Sequence, residues 1–101
     1  MKSTVRDNQN YKKLEKTSKM LKAMAHPLRL AIVTLLEGGA KLNVTQIFES
    51  LDIEQAVASH HLSILKDRDV LASERDGKNI YYSLKNPQIR DVMKCIHKCM
   101  D

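Results

Sequence analysis

The sequence has little aromatic character and almost no cysteine. It has no tryptophan, three tyrosines and one phenylalanine, so a core must be built from Leu, Ile, Val, Met and Ala. Its two cysteines, Cys95 and Cys99, enclose too short a loop to serve as a disulfide scaffold. The 101 residues, 43% of them apolar, suffice for one compact domain, and we expect a single domain over residues 1–101.

Long apolar runs are also missing. No stretch approaches the ~20 apolar residues of a membrane-spanning helix. The first ten residues, MKSTVRDNQN, lack the apolar centre of a signal peptide. We therefore expect no membrane partner and a cytoplasmic location.

The net charge of +5 comes from the N-terminal part of the chain. Residues 1–22 contain seven basic and two acidic residues, whereas residues 23–101 contain ten of each. A basic segment on a neutral body attracts an anionic partner such as nucleic acid, or it is only a solvated face. Charge alone leaves both alternatives open. Residues 1–9 are expected to form a flexible arm.

Hydrophobic periodicity predicts five helices and one hairpin. Pro27 opens the second helix and Gly38-Gly39 stops it, while Asn43 and Gln46 form a capping box for the third. The Asp76-Gly77 dipeptide favours a tight hairpin turn. The predicted helices cover about 10–24, 27–36, 44–51 and 54–68, with a last one opening at Asn86-Pro87.

The fourth predicted helix has two unlike faces. Val57, Ala58, Leu62 and Leu65 lie on one side, and His61 leans towards that side, where we expect it to pack. The other side carries Gln55, Ser59, His60, Ser63 and Lys66. A short helix, a tight turn, a helix with a polar outer face and a following hairpin are typical of a winged helix-turn-helix. The predicted fold is mainly α with a small β-hairpin, in the order α-α-α-α-β-β-α.

Three segments carry a family resemblance: LKAMAHPLRLAIVTLL (21–36), IEQAVASHHLSILKDRDVL (53–71) and ERDGKNIYYSL (74–84). In this order and at these separations they resemble the ArsR/SmtB family of small bacterial winged-helix repressors. The resemblance covers residues 20–100 and implies a homodimer joined through the first and last helices. It also implies binding to an operator in double-stranded DNA and release by an inducer.

The resemblance also implies which residues touch DNA. In the family, outward residues near the start of the recognition helix read bases, and the matching positions are Gln55, Ala56, Ser59 and His60. Ala56 departs from the usual small hydroxyl residue, although its methyl can meet a thymine methyl. His60 or Ser63 can reach a base edge or a phosphate. Lys66 extends this face, and Arg75 and Lys78 on the wing are either DNA contacts or solvated charges.

The inducer sites that distinguish family members lack their ligands here. The arsenic or cadmium type places cysteines on the third helix, where KLNVTQIFES has none. The zinc type places Asp and His at the start of the last helix, where this chain has Asn86 and Gln88, poor ligands for zinc. We therefore predict neither site and no required cofactor.

Cys95 and Cys99 remain as candidate inducer or redox residues, because their i and i+4 spacing places both on one face of the last helix. They can bind a soft metal or a trivalent arsenical, or be oxidised. Alternatively they are small apolar side chains that pack at a dimer seam. His97 projects about 160° away from both, so it cannot complete their site within one chain.

Two functions of different classes remain open. The first is a sequence-specific DNA-binding transcription regulator. The second is a winged-helix protein-interaction module with weak DNA affinity and purely structural cysteines, which the neutral charge of residues 23–101 favours. An enzyme is not expected, because the chain has no G-x-S-x-G, H-E-x-x-H or phosphate-binding glycine loop.

Overall fold

Within residues 9–100, which the computed structural model describes, the chain forms five helices and one three-stranded antiparallel sheet. The arm predicted at residues 1–9 lies outside the described residues, except for Gln9, which begins the first helix. The elements are α1 (Gln9–Met24), α2 (Pro27–Leu35), β1 (Leu42–Asn43), α3 (Val44–Leu51), α4 (Gln55–Asp67), β2 (Leu71–Asp76), β3 (Asn79–Leu84) and α5 (Gln88–Met100).

The helix starts follow the capping signals in the sequence. The backbone N–H of Leu28 donates to His26 Nδ1 at 3.1 Å, and Pro27 is the first residue of α2. At α3, the Gln46 N–H donates to Asn43 Oδ1 at 2.8 Å, and the Asn43 N–H donates to Gln46 Oε1 at 2.9 Å. The predicted capping box is thus confirmed. It satisfies two N–H groups that a helix N-terminus otherwise leaves without partners.

The predicted hairpin is present, but it belongs to a larger sheet. The two-residue strand β1 pairs antiparallel with β3, with Leu42 opposite Tyr82, and the strand order is β1-β3-β2. The sequence did not indicate β1, because two residues are too few to show strand alternation. In addition, Asn43 reads as a helix cap. The extra strand ties the start of α3 to the base of the wing, which is the hairpin β2–β3.

The turn of the wing lies one residue later than predicted. Asp76 pairs with Asn79, so the two loop residues are Gly77 and Lys78 rather than Asp76 and Gly77. Gly77 has a φ of +65°, whereas Asp76 keeps a strand conformation. Glycine at the first loop position supplies the positive φ that a tight hairpin requires. Lys78 therefore lies at the tip of the wing.

The core is aliphatic, as the composition predicts. Its completely buried side chains come from α2, α3, α4 and the segment leading into β2: Ile32, Val33, Leu36, Ile47, Leu62, Leu65 and Val70. Ala58 and His61 also face inwards on α4. Val57, predicted on the same apolar side, is instead 37% exposed. It lies at the edge of the buried arc, where no neighbouring element covers it fully.

Several apolar residues of α1 and α5 lie on the surface. In α5 the apolar residues recur with helical spacing, but only Ile89 and Met93 are buried, and Val92, Ile96 and Met100 are exposed. On α1, Leu14 and Leu21 are exposed by 60% and 53%, while Ala23 and Met24 pack into the core. The two helices thus have apolar faces that a single chain does not cover. Among the described helices, none has the length and apolar character needed to cross a bilayer.

Candidate nucleic-acid interface

Helix α4 presents a polar face to solvent. Its six predicted contact residues are all exposed: Gln55, Ala56, Ser59, His60, Ser63 and Lys66. They face outwards because Ala58, Leu62 and Leu65 on the opposite side have no exposed surface. Rotating α4 to bury the polar face would therefore expose three core side chains. Apolar burial fixes which residues of this helix meet a partner.

The wing side of α4 forms a groove of about 370 Å³. Gln55 and Ser59 of α4 lie along it, opposite Lys78 at the tip of the wing. The fold thus brings together three predicted contact residues, although Gln55 and Lys78 are 23 positions apart in the sequence. Arg75 is exposed but lines a different groove, with Lys41, Glu74, Asp76 and Tyr81. Its neighbour Glu74 forms an ion pair with Lys41, with 3.0 Å between Glu74 Oε1 and Lys41 Nζ. The positive charge of Lys41 is therefore partly compensated.

The same groove contains residues that the sequence did not indicate. Thr45 near the start of α3 and Asn79 at the start of β3 both line it. Their side chains add a hydroxyl and an amide beside the recognition face. These two residues could have been predicted if the sequence had indicated β1. The pairing of β1 with β3 places the start of α3 beside the wing.

The opposite flank of α4 meets α1 and α2 in a second groove, of about 350 Å³. We call it the basic groove, because four of its six lining residues are cationic and none is acidic: Lys19, Lys22, Ala23, Arg29, Ile64 and Arg68. Arg29 Nη1 donates to the Ala23 carbonyl at 3.0 Å and so joins α2 to α1. The buried Nε of Arg29 has no hydrogen-bond partner among the described residues.

Three histidines, one from the cap of α2 and two from α4, lie close together. The rings of His26 and His61 are 4.6 Å apart between centroids, and those of His60 and His61 are 5.3 Å apart. His61 is only 7% exposed, which confirms that it packs inwards, but its Nδ1 has no partner among the described residues. Burial, and then the nearby His26, Arg29 and His60, hold the pKa of His61 below its ordinary value.

Asp69 joins the end of α4 to the wing and to α1. It has a positive φ of 64° directly after the helix. Its Oδ1 accepts from Lys85 Nζ at 2.8 Å, and its Oδ2 lies 3.7 Å from Lys16 Nζ. The hydrogen bond and charge of Lys85, with a smaller contribution from Lys16, lower the pKa of Asp69. The carboxylate therefore stays ionised and links three elements around the recognition helix.

Cys95 and Cys99 are both exposed free thiols on α5. They are one turn apart and border the exposed apolar strip that contains Val92 and Ile96. His97 points elsewhere, with Nε2 3.2 Å from Glu37 Oε1 at the end of α2. Within residues 9–100 no three His, Cys, Asp or Glu side chains form a group that could hold a metal ion.

An exposed polar helix after a helix and a turn, with a β-wing beside it, defines the winged helix-turn-helix class of DNA-binding regulators. The family model of the arsR family of bacterial regulatory proteins matches residues 26–73, which run from the cap of α2 into β2. The transcriptional repressor PagR of Bacillus anthracis is 41% identical over 87 residues, covering 86% of this chain and 87% of PagR. The chain belongs to the ArsR family of bacterial regulatory proteins.

Two further relatives agree with this assignment. The transcriptional repressor SdpR of Bacillus subtilis is 39% identical over 72 residues, or 71% of this chain and 79% of SdpR. The crystal structure of PagR matches this fold with a TM-score of 0.78 and 42% identity. The match covers 85% of this chain and 98% of the PagR chain.

The fold is also shared with the homodimeric winged helix-turn-helix domain of Mb0332 from Mycobacterium bovis. That solution structure covers all of this chain and 91% of its own, with a TM-score of 0.84 and 22% identity. The predicted fold class and family resemblance are therefore confirmed. So is the prediction that the chain is not an enzyme, because the relatives are transcriptional regulators.

The buried, neutral His61 predicts that acid destabilises the fold. Its pKa is lower in the folded chain, so below about pH 6.5 the unfolded chain binds a proton that the folded chain does not. We expect the free energy of unfolding to fall between about pH 7 and pH 5, and His61→Leu to flatten this dependence. Urea denaturation at a series of pH values measures both. The exposed neighbour variant His60→Asn removes only the smallest cause of the lowered pKa of His61, so it should keep most of the pH dependence, and parallel curves for wild type and His61→Leu would contradict the prediction.

Proposed function

We propose that this protein is a transcriptional repressor that binds an operator in duplex DNA through α4 and the wing. The observation that carries the proposal is the exposed polar face of α4 beside the wing groove. Its relatives PagR and SdpR are both transcriptional repressors, which supports repression rather than activation. Such a repressor acts in the cytoplasm, where the operator is.

In this proposal α4 enters the major groove with its N-terminal half. The amide of Gln55 offers a donor and an acceptor that match N7 and N6 of adenine. Ser59 and His60 supply further polar atoms to base edges, and the Ala56 methyl can contact a thymine methyl. Ser63 and Lys66 follow along the exposed face, where they meet the phosphate backbone.

The wing contributes backbone contacts rather than sequence reading. Lys78 is exposed at the tip of the hairpin, next to the groove that Gln55 and Ser59 line. Arg75 lies further along β2 with its side chain exposed. Cationic side chains that meet the backbone neutralise phosphate charge without discriminating between sequences.

The base-reading role is tested with Gln55→Ala and Ser59→Ala. Each substitution should weaken operator binding by about 1 to 3 kcal/mol and leave binding to unrelated duplexes nearly unchanged. A gel shift against DNA upstream of its own gene, in parallel with a scrambled duplex, measures both affinities.

The wing provides the matched control. Arg75→Ala and Lys78→Ala should weaken binding to every duplex and lower the salt slope by about 0.9 for each phosphate that is no longer neutralised. Equal weakening on all sequences for the Gln55 and Ser59 variants would contradict their reading role. Failure of the wild type to bind any duplex would favour a protein-interaction module instead.

The repressor is proposed to act as a homodimer through α1 and α5. Val92, Ile96 and Met100 on α5 and Leu14 and Leu21 on α1 are exposed apolar residues. Monomeric proteins rarely expose large continuous apolar areas. The domain of Mb0332, which has the same fold, is described as homodimeric.

Ile96→Asp tests the dimer. A carboxylate in the middle of a buried apolar seam is costly to desolvate, so we expect a monomer where the wild type is a dimer. Sedimentation velocity measures the difference. Lys94→Asp changes the same helix about 160° away from Ile96 and should leave the dimer intact. A dimeric Ile96→Asp protein would contradict the proposed seam.

Cys95 and Cys99 are proposed as the inducer site. The support is their exposure, their one-turn spacing and their position at the edge of the apolar strip of α5. Their thiolates suit soft metals and trivalent arsenicals, although no cofactor is required for folding or DNA binding in this proposal. Peroxide can convert one thiol to a sulfenic acid with release of water. Condensation with the second thiol then gives a disulfide and another water, with local distortion of the helix.

Cys95→Ser and Cys99→Ser distinguish a sensor from a packing role. The reduced variants should bind the operator like the wild type but stay bound when treated with peroxide, polysulfide, arsenite or cadmium. Fluorescence anisotropy of a labelled operator follows release. Retention of DNA by the wild type under all four treatments, or equal release by the variants, would make the thiols packing residues.

A further inference from the structure

The elements assigned to DNA reading carry no net positive charge. The wing, residues 71–84, has two basic and two acidic residues, and α4 has one lysine and one aspartate. Helix α1, by contrast, carries five lysines and a single glutamate. Because phosphate neutralisation contributes strongly to affinity for duplex DNA, cations on a surface beside α4 would strengthen binding.

The basic groove brings the charge of α1 to the recognition helix. Lys19 and Lys22 of α1 line it together with Ile64 of α4 and Arg68, the C-cap residue of α4. Neither lysine, nor Arg68, forms an ion pair with a carboxylate of residues 9–100. Glu15 lies one turn before Lys19 and lines a second groove together with Lys19 and Lys22, but it forms no ion pair with either lysine. These three cations are therefore available to an external anion.

Arg29 of α2 also lines the basic groove and holds α1 in place. Its guanidinium is anchored to the Ala23 carbonyl, while its Nε is buried without an acceptor among the described residues. This fixed charge contributes positive potential to the groove. It also keeps α1 at a set position against α2 and α4, so the lysines stay beside the recognition helix.

A helix in the major groove has a phosphate strand on each side, because the groove is only about 12 Å wide. On one side of α4 lies the wing groove, lined by Gln55 and Ser59. On the other side lies the basic groove, lined by Ile64 and Arg68. At about 100° per residue, these two pairs are roughly 180° apart around the helix.

We infer that the basic groove binds the backbone phosphates of the second strand that borders the major groove, with Lys19, Lys22 and Arg68 as the contacting residues. This inference rests on the proposed function and extends its DNA footprint from α4 and the wing to α1. The contacts are independent of sequence and stabilise every duplex complex.

The first test compares the double variant Lys19→Ala/Lys22→Ala with Lys13→Ala, a lysine of the same helix that does not line the groove. Removing two phosphate-binding cations lowers the slope of log affinity against log salt by about 1.8, so the wild-type advantage shrinks about tenfold between 50 and 200 mM salt. The ratio of operator to scrambled-duplex affinity should not change. Lys13→Ala should keep the wild-type slope.

The second test identifies the strand. Operator duplexes recovered from a random pool are prepared with single neutral methylphosphonate linkages along each flank. Neutralising the phosphates at the basic groove should weaken the wild type and Lys13→Ala more than the double variant, which keeps only Arg68 of the three contacting cations. Neutralisation on the wing flank should weaken all three proteins.

The outcomes separate this inference from the proposed function. An unchanged salt slope, or equal sensitivity of the double variant and the wild type to every neutral linkage, would overturn the phosphate-binding role of the groove while Gln55→Ala still impairs operator reading. Failure of the wild type to bind any duplex would overturn both. Circular dichroism of the double variant checks that α1 remains folded.

Discussion

The orientation of α4 depends on the burial of its apolar face. Leu62 and Leu65 have no exposed surface, and they share one aliphatic core with Ile32 of α2 and Ile47 of α3. Truncation of a buried leucine to alanine typically costs about 2 to 5 kcal/mol, a large part of the stability of a domain this size. Turning α4 to another face would expose both leucines at once. The core therefore determines which side chains of α4 meet a partner.

Much of the fold could be predicted from local sequence signals. Pro27, the Asn43 and Gln46 capping box, and Gly77 each determine backbone geometry within a few residues, so their effects are visible without a structure. The faces of α1 and α5 were predicted less well. Periodicity shows that residues such as Leu14 and Ile96 share a face with the other apolar residues of their own helix, but it does not show whether the same chain covers that face.

The grooves beside α4 could be predicted only in part. The sequence places Gln55 and Ser59 on one side of α4 because they lie on one helix, whereas Thr45 and Asn79 come beside them through β1, a strand of two residues. The basic groove was not predicted at all. Lys19, Arg29 and Arg68 are separated by up to 49 positions and converge only through packing of α1, α2 and α4. The charge excess in residues 1–22 was visible in the sequence, but its position relative to α4 was not.

In the proposed repressor, α5 is coupled to the recognition helix α4 through the core to which both are attached. Ile89 and Met93 anchor its first half in the core, and His97 reaches Glu37 at the end of α2. A movement of α5 against a partner subunit would thus displace the core that holds α4. In a dimer the two recognition helices must lie about 34 Å apart to enter successive major grooves. In the proposed mechanism, an inducer at α5 would release the operator only through its differential affinity for a state with another spacing, and roughly 100-fold release would require about 2.7 kcal/mol of coupling.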